Sequence, residues 1–130
     1  MINRTWVFAL LTAFAIICSA LPAIAAKFDG NWSMVAMTTS GHCGTIPIGM
    51  GISRGRIYSS DRSSFGTRFA LYPIQLAGRV SPSGQVQMKA VAGPRIAHGT
   101  GRFSRFRGSG TWAGTGPSGV CSGVWTATRS

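Results

Sequence analysis

The sequence predicts an all-β fold, an antiparallel meander of about eight short strands that forms a small barrel or a sandwich, after an N-terminal signal peptide. Three observations predict it. Apolar residues are concentrated in residues 1–25, short segments of the remaining chain alternate polar and apolar residues, and the turns between these segments leave no room for crossover helices. We therefore expect a signal peptide at residues 1–25 and a single all-β domain at residues 26–130.

The leader has the three regions of a secretory signal peptide. Arg4 supplies the positive charge of a short first region, residues 6–17 are an apolar run, and Ala23 and Ala25 are the small residues that precede a cleavage site after Ala25. A cut one residue later, after Ala26, is the alternative. The run is short for a bilayer span, so an uncleaved anchor is the less favoured alternative. After cleavage no transmembrane anchor is expected, and the protein is expected in the periplasm or secreted.

Alternation and turn residues divide the rest of the chain into eight candidate strands. The clearest is at residues 85–90, where polar and apolar residues alternate strictly. Residues 74–80 alternate similarly, and the intervening Ser81-Pro82-Ser83-Gly84 has the composition of a hairpin turn. The other expected strands are residues 31–39, 46–52, 56–59, 95–103, 109–114 and 120–128, and residues 62–67 are expected to be the longest exposed loop.

Two cysteines remain beyond the leader, Cys43 and Cys121, because Cys18 lies within the leader. In an oxidising compartment, an even pair in a small domain most simply forms a disulfide, which we expect here. Lipidation of Cys18 and a redox pair are the alternatives. Residues 15–17 lack the small residue that precedes a lipidated cysteine, and the remaining cysteines do not have Cys-x-x-Cys spacing.

Two short sequence patterns recur in the domain. Gly-x-Trp ends at Trp32, Trp112 and Trp125. Because residues two apart on a strand share a face, each glycine is expected to leave a gap beside its tryptophan, and the rings are expected to pack in the core. A ligand-stacking platform is the alternative. Gly-Arg recurs at residues 55–56, 78–79 and 101–102, a spacing of 23 that indicates a recurring strand-end geometry.

Residues 28–33, 78–84, 108–112 and 121–127 together resemble a group of short exported proteins of alphaproteobacteria, rhizobia especially, with Gly-x-Trp strands and a C-terminal Cys-Ser-Gly-x-Trp motif. The resemblance spans nearly the whole domain. It implies export but no catalytic or binding residue, since that group has no assigned activity. An early Gly-x-Trp strand also resembles small periplasmic β-barrel inhibitors of proteases and lipocalin-like barrels.

Side chains that could carry catalysis are few in the domain. The carboxylates, Asp29 and Asp61, are interpreted as turn residues rather than as a general acid/base pair. His42 and His98 lack a partnering acid or a Cys-x-x-Cys-His motif, so solvated side chains are favoured over metal or haem ligands. His98 is expected to be partly exposed. We therefore expect no enzyme activity, no catalytic residue, no metal and no cofactor.

Charge is the strongest functional signal. The chain has 13 Lys and Arg and two acidic residues, and without Arg4 the domain has a net charge of +10. Such a field attracts anionic lipid or acidic polysaccharide, and arginine suits phosphate and carboxylate. The alternative is that the charge only keeps a glycine-rich protein soluble. The candidate anion-binding residues are Arg54, Arg56, Arg102, Arg105 and Arg107.

These features favour a non-enzymatic binding module for anionic envelope or extracellular material. Sequence-specific nucleic-acid binding is not expected, because the chain has no motif for it. The second hypothesis is an inhibitor-like barrel that blocks a protease or other hydrolase. Its protein target would be bound by a loop such as residues 62–67.

Overall fold

The computed structural model describes residues 27–130, and the predicted signal peptide lies outside them. Within this range, no helix is long and apolar enough to cross a membrane. Eight strands form a closed barrel in the order β1-β10-β9-β8-β7-β6-β3-β2, with every neighbouring pair antiparallel, and β4 and β5 form a separate two-stranded sheet. The strands are β1 (Gly30–Ser40), β2 (Thr45–Ser53), β3 (Arg56–Ser59), β4 (Ser64–Thr67), β5 (Ala70–Pro73), β6 (Gln75–Val80), β7 (Gln85–Ala92), β8 (Arg95–Phe103), β9 (Arg107–Gly116) and β10 (Gly119–Arg129).

The prediction of an all-β meander is confirmed, and the barrel is selected over the sandwich. The eight predicted strands are the eight barrel strands. The prediction of an exposed loop at residues 62–67 is wrong, because β4 pairs with β5 and places Phe65 opposite Tyr72. Both rings pack against the core, so long-range contacts order a segment whose sequence has no strand periodicity.

The two ends of the barrel are built differently. Because the barrel strands alternate in direction, the first residues of β1 and the turns at residues 54–55, 81–84 and 104–106 lie at one end, here called the closed end. The loops at residues 41–44, 93–94 and 117–118 lie at the other, the open end, together with the β4–β5 hairpin.

Aromatic side chains fill the closed end. The Trp32 and Phe103 ring centroids are 4.7 Å apart, and those of Phe103 and Trp125 are 5.7 Å apart. Phe28 packs below them, and its carbonyl accepts a hydrogen bond of 2.9 Å from the Trp32 indole N–H. Aromatic rings of this size dominate the apolar burial of a small core, so this cluster holds the closed end together.

Glycines make room for the tryptophans, but not in the expected way. The Trp125 ring lies over Gly108 and Gly110 of the neighbouring β9 and Gly101 of β8, the next strand, and its N–H donates to the Thr100 carbonyl at 3.0 Å. Gly110, from the motif that ends at Trp112, thus lies against the ring of Trp125, from another motif. Side chains on a barrel wall lean across to other strands. The expectation that each glycine lies beside its own tryptophan is therefore corrected.

The disulfide joins two elements at the open end. Cys43 in the β1–β2 loop is bonded to Cys121, with 6.2 Å between their Cα atoms. Cys121 and Trp125 both face the barrel interior from β10. The bond therefore attaches the loop to the wall of the open end, where the aromatic cluster does not reach.

Replacing Gly108 with alanine tests the packing of the closed end. A Cβ at this position would lie 2.6 Å from Phe103 Cδ1 and 3.2 Å from Trp125 Cζ3. We expect Gly108→Ala to lower the free energy of unfolding by about 1 to 3 kcal/mol, measured in urea. The control, Ser109→Ala, changes an exposed neighbour and should stay within about 0.5 kcal/mol of the wild type. Equal stability of the two variants would contradict the packing described.

Removing the disulfide tests how much the bond between Cys43 and Cys121 stabilises the barrel. The bond closes a segment with a sequence separation of 78 residues. In the chain-entropy model, the double variant Cys43→Ser, Cys121→Ser loses about 4 kcal/mol of unfolding free energy, because the unfolded chain gains freedom. The urea midpoint should fall, and reductant should lower the wild-type midpoint but not that of the variant. An unchanged midpoint in both comparisons would show that the bond contributes nothing.

Candidate functional site

The structure brings the candidate anion-binding arginines to one end of the barrel. Arg54 lies in the β2–β3 turn and Arg56 begins β3. Arg102 is near the end of β8, Arg105 follows it in the connection, and Arg107 begins β9. All five side chains are exposed, and all five lie at the closed end. Residues far apart in the sequence therefore contribute to one cationic surface.

Two further cations belong to this surface and were missed. Lys27 precedes β1, and Arg79 lies directly opposite Arg56 in the β3–β6 pairing. The sequence did mark Arg79, because it belongs to the Gly-Arg repeat. The spacing of that repeat places Arg56, Arg79 and Arg102 at the same end of the barrel. No pattern marks Lys27. The surface, here called the cationic end, consists of the exposed residues Lys27, Arg54, Arg56, Arg79, Arg102, Arg105 and Arg107.

Arg129 lies at the same end but has a structural role. Its guanidinium donates to the carbonyls of Lys27 at 3.1 Å and Arg105 at 2.9 Å, and also to that of Asp29. The guanidinium carbon is 5.3 Å from the centroid of the Trp32 ring. Because these contacts use the planar fork, Arg129 ties the segment before β1 to the β8–β9 connection.

Acidic side chains do not form a pair. Asp29 is partly buried before β1, at the closed end, whereas Asp61 lies after β3, at the open end. Asp61 accepts a hydrogen bond of 2.9 Å from the Ser63 backbone N–H, as a turn aspartate does, and also one from the Ser63 hydroxyl. The Ser63 hydroxyl is the main reason that the pKa of Asp61 is below its usual value, with help from backbone hydrogen bonds. A general acid needs a raised pKa, so this shift is of the wrong sign for that role.

The histidines are also apart. His42 is exposed in the β1–β2 loop, and His98 is exposed on the outer face of β8 with Thr100 and Arg102. Residues 27–130 contain no cluster of three His, Cys, Asp or Glu side chains that could hold a metal ion.

An apolar side chain protrudes beside the cationic end. Phe106, at the tip of the β8–β9 connection, is 63% exposed, and the Arg105 guanidinium carbon is 5.7 Å from its ring centroid. Arg107 follows it directly. The tip therefore presents an aromatic ring between two cations.

The open end leads into an apolar cavity within the barrel. Its volume is about 100 Å³, within a space of about 790 Å³ that includes the open mouth. Small residues on β8 and β9, such as Ala97, Gly99 and Gly114, leave this space, because no large ring lies over them as Trp125 does lower in the barrel. Its walls include Met34, Ile48, Leu76, Met88 and Trp112.

Trp32 and Trp125 are each 1% exposed and belong to the core, whereas Trp112 is partly buried and lines the cavity. Its indole N–H donates to the Met37 carbonyl at 3.3 Å. Trp112 thus supports the wall of the open end rather than the aromatic cluster.

Comparison with known proteins adds support for the fold. No protein-family model matches the chain, and no curated protein matches it significantly. Among solved structures, a redesigned β-barrel is similar, with 13% sequence identity, a TM-score of 0.55, and coverage of 82% of this chain and 95% of that one. At this level of identity the likeness shows the barrel fold alone.

Proposed function

We propose that the protein is a non-enzymatic binding module that attaches to anionic envelope or extracellular material through the cationic end of its barrel. The observation that carries the proposal is the convergence of seven exposed Lys and Arg side chains, from four separate parts of the chain, at that end. Export to the periplasm or the medium, as the leader predicts, would bring this surface to such material. The disulfide is compatible with that location.

The arrangement of these cations favours an anionic partner over a purely solubilising charge. Arg56 and Arg79 are directly opposite each other across two antiparallel strands. Like charges in this position repel, so the pair lowers the stability of the isolated barrel. A bound phosphate or carboxylate would remove that repulsion and accept the paired donors of the guanidinium groups. Charge that served solubility alone could be spread over the whole surface.

Phe106 indicates that a lipid surface is the better partner within this class. An exposed ring between Arg105 and Arg107 can enter the boundary between headgroups and acyl chains while the arginines bind anionic headgroups. A soluble polysaccharide offers no comparable apolar layer. We therefore propose anionic phospholipid as the preferred material.

Blocking of a protease or other hydrolase is retained as a second candidate function because the β4–β5 hairpin at the open end exposes two large apolar side chains. At and beside its tip, Phe69 is 89% exposed and Leu71 is 65% exposed. Exposed apolar side chains at a hairpin tip suit insertion into a cleft. A one-to-one complex with a purified hydrolase that survives moderate salt would favour this function over surface binding.

Matched charge removal at the two ends tests the proposal. We expect Arg105→Gln with Arg107→Gln to weaken binding to vesicles that contain phosphatidylglycerol by roughly tenfold to thirtyfold, since each cation near such a surface contributes about 1 kcal/mol. Co-sedimentation at low ionic strength measures it. Added salt should weaken wild-type binding as well.

The control for this experiment is Arg62→Gln with Arg68→Gln, which removes the same charge from the open end. It should bind nearly as tightly as the wild type. Equal losses in the two double variants would mean that only net charge matters, and no binding by the wild type at low salt would overturn the proposal.

Substitution of Phe106 separates lipid from polysaccharide. We expect Phe106→Ser to lower affinity for the same vesicles by roughly fivefold to thirtyfold, because a partly inserted ring is lost, and to leave binding to heparin unchanged. Phe69→Ser at the open end is the control and should change neither. A parallel loss for vesicles and heparin would show that Phe106 does not enter lipid.

A further inference from the structure

The cavity at the open end contains a charge that the proposed function does not use. Arg95 is the first residue of β8 and faces inward, as Ala97 and Gly99 do. Its side chain lines the cavity. It is partly buried. A cation at the mouth of an otherwise apolar cavity is a specific feature, since side chains inside a small barrel are usually apolar.

The position of the guanidinium is well defined. The Arg95 side chain crosses Gly116 of β9, where a Cβ would lie 2.7 Å from Arg95 Cγ. Its guanidinium carbon is 5.3 Å from the centroid of the Phe65 ring, which also lines the cavity. The charge is therefore held between the barrel wall and the β4–β5 hairpin, at the entrance to the cavity.

No carboxylate side chain of residues 27–130 is placed to neutralise Arg95. Asp29 lies at the opposite end, and Asp61 lies against Gly49 on the outer face of β2, on the far side of the barrel from β8. A partly desolvated guanidinium is best satisfied by an anion that accepts its planar donors. A bound ligand would therefore have to supply that anion.

We propose that the open end binds a small amphiphile with a carboxylate head and a short hydrocarbon tail, such as a short-chain fatty acid, because a cavity of about 100 Å³ is too small for a long acyl chain. The hydrocarbon tail occupies the cavity between Met34, Leu76 and Met88, and the carboxylate accepts hydrogen bonds from Arg95 at the mouth. Apolar walls with one convergent polar group are typical of small-molecule sites. Because this site is at the opposite end from the cationic end, it does not depend on the function proposed above.

The β4–β5 hairpin supplies the cover of the site. Phe65 faces the cavity from β4, and Tyr72 of β5 packs over Gly93 in the β7–β8 turn, where a Cβ would lie 2.5 Å from the ring. The Ser59 hydroxyl holds the base of the hairpin, as it donates to the Ile74 carbonyl at 3.0 Å and accepts from the Leu76 N–H at 2.6 Å. The anchored base and packed rings place an aromatic wall beside the head group.

Quenching of tryptophan fluorescence by a brominated fatty acid tests the proposal, because Trp112 lines the cavity. Titrations of the purified protein use butyrate, hexanoate and octanoate as competitors, together with hexanol, which has the hexanoate tail and no charge. We expect saturable binding of at least one fatty acid. Arg95→Met should weaken that binding by about tenfold to a hundredfold and leave hexanol binding unchanged.

Two further variants make the outcome decisive. Lys89→Met removes an exposed cation of β7 that belongs neither to the cavity nor to the cationic end, and should leave fatty-acid binding unchanged. Ala90→Phe fills the cavity and should abolish binding of both acid and alcohol, with circular dichroism used to verify folding. If Ala90→Phe does not fold, Arg95→Met decides. Equal affinity of Arg95→Met and the wild type for the fatty acid, or no binding by the wild type, would overturn the proposal.

Discussion

Closure of the eight-stranded sheet is the constraint on which the other features depend. Once β1 pairs with both β2 and β10, every barrel strand has one inward and one outward series of residues. Inward positions near the closed end receive Trp32, Phe103 and Trp125, and the glycines of β8 and β9 let the Trp125 ring lie against the wall. Outward positions at the same end carry charged side chains such as Arg56, Arg79 and Arg102, which stay in contact with water.

The same constraint separates the two ends chemically. Rings and the Arg129 hydrogen bonds fill and seal the closed end, and its outer surface carries the cations and the exposed Phe106 ring. At the open end, alanines and glycines on β8 and β9 leave a cavity, and a disulfide and a hairpin replace the missing aromatic packing. One small domain therefore presents a cationic surface and an apolar cavity in opposite directions.

Sequence reasoning predicted the barrel strands well, because polar and apolar alternation reports which face of a strand is buried. It missed the β4–β5 hairpin, which depends on Phe65 and Tyr72 reaching the core across the barrel mouth. It identified five of the seven cations at the closed end, but their convergence follows from strand order, which local patterns do not contain. Arg95 carried no signal, since only the register of β8 turns it inward.

The central claim is that the closed end is the surface that meets anionic material. Spin labels placed by Ser83→Cys, in the closed-end turn between β6 and β7, and by Ser118→Cys, in the open-end turn between β9 and β10, test it most directly. On phosphatidylglycerol vesicles, electron paramagnetic resonance should show the label at Ser83 shielded from a water-soluble relaxation agent and the label at Ser118 fully accessible. Equal accessibility of the two labels, or shielding of the Ser118 label alone, would contradict the account.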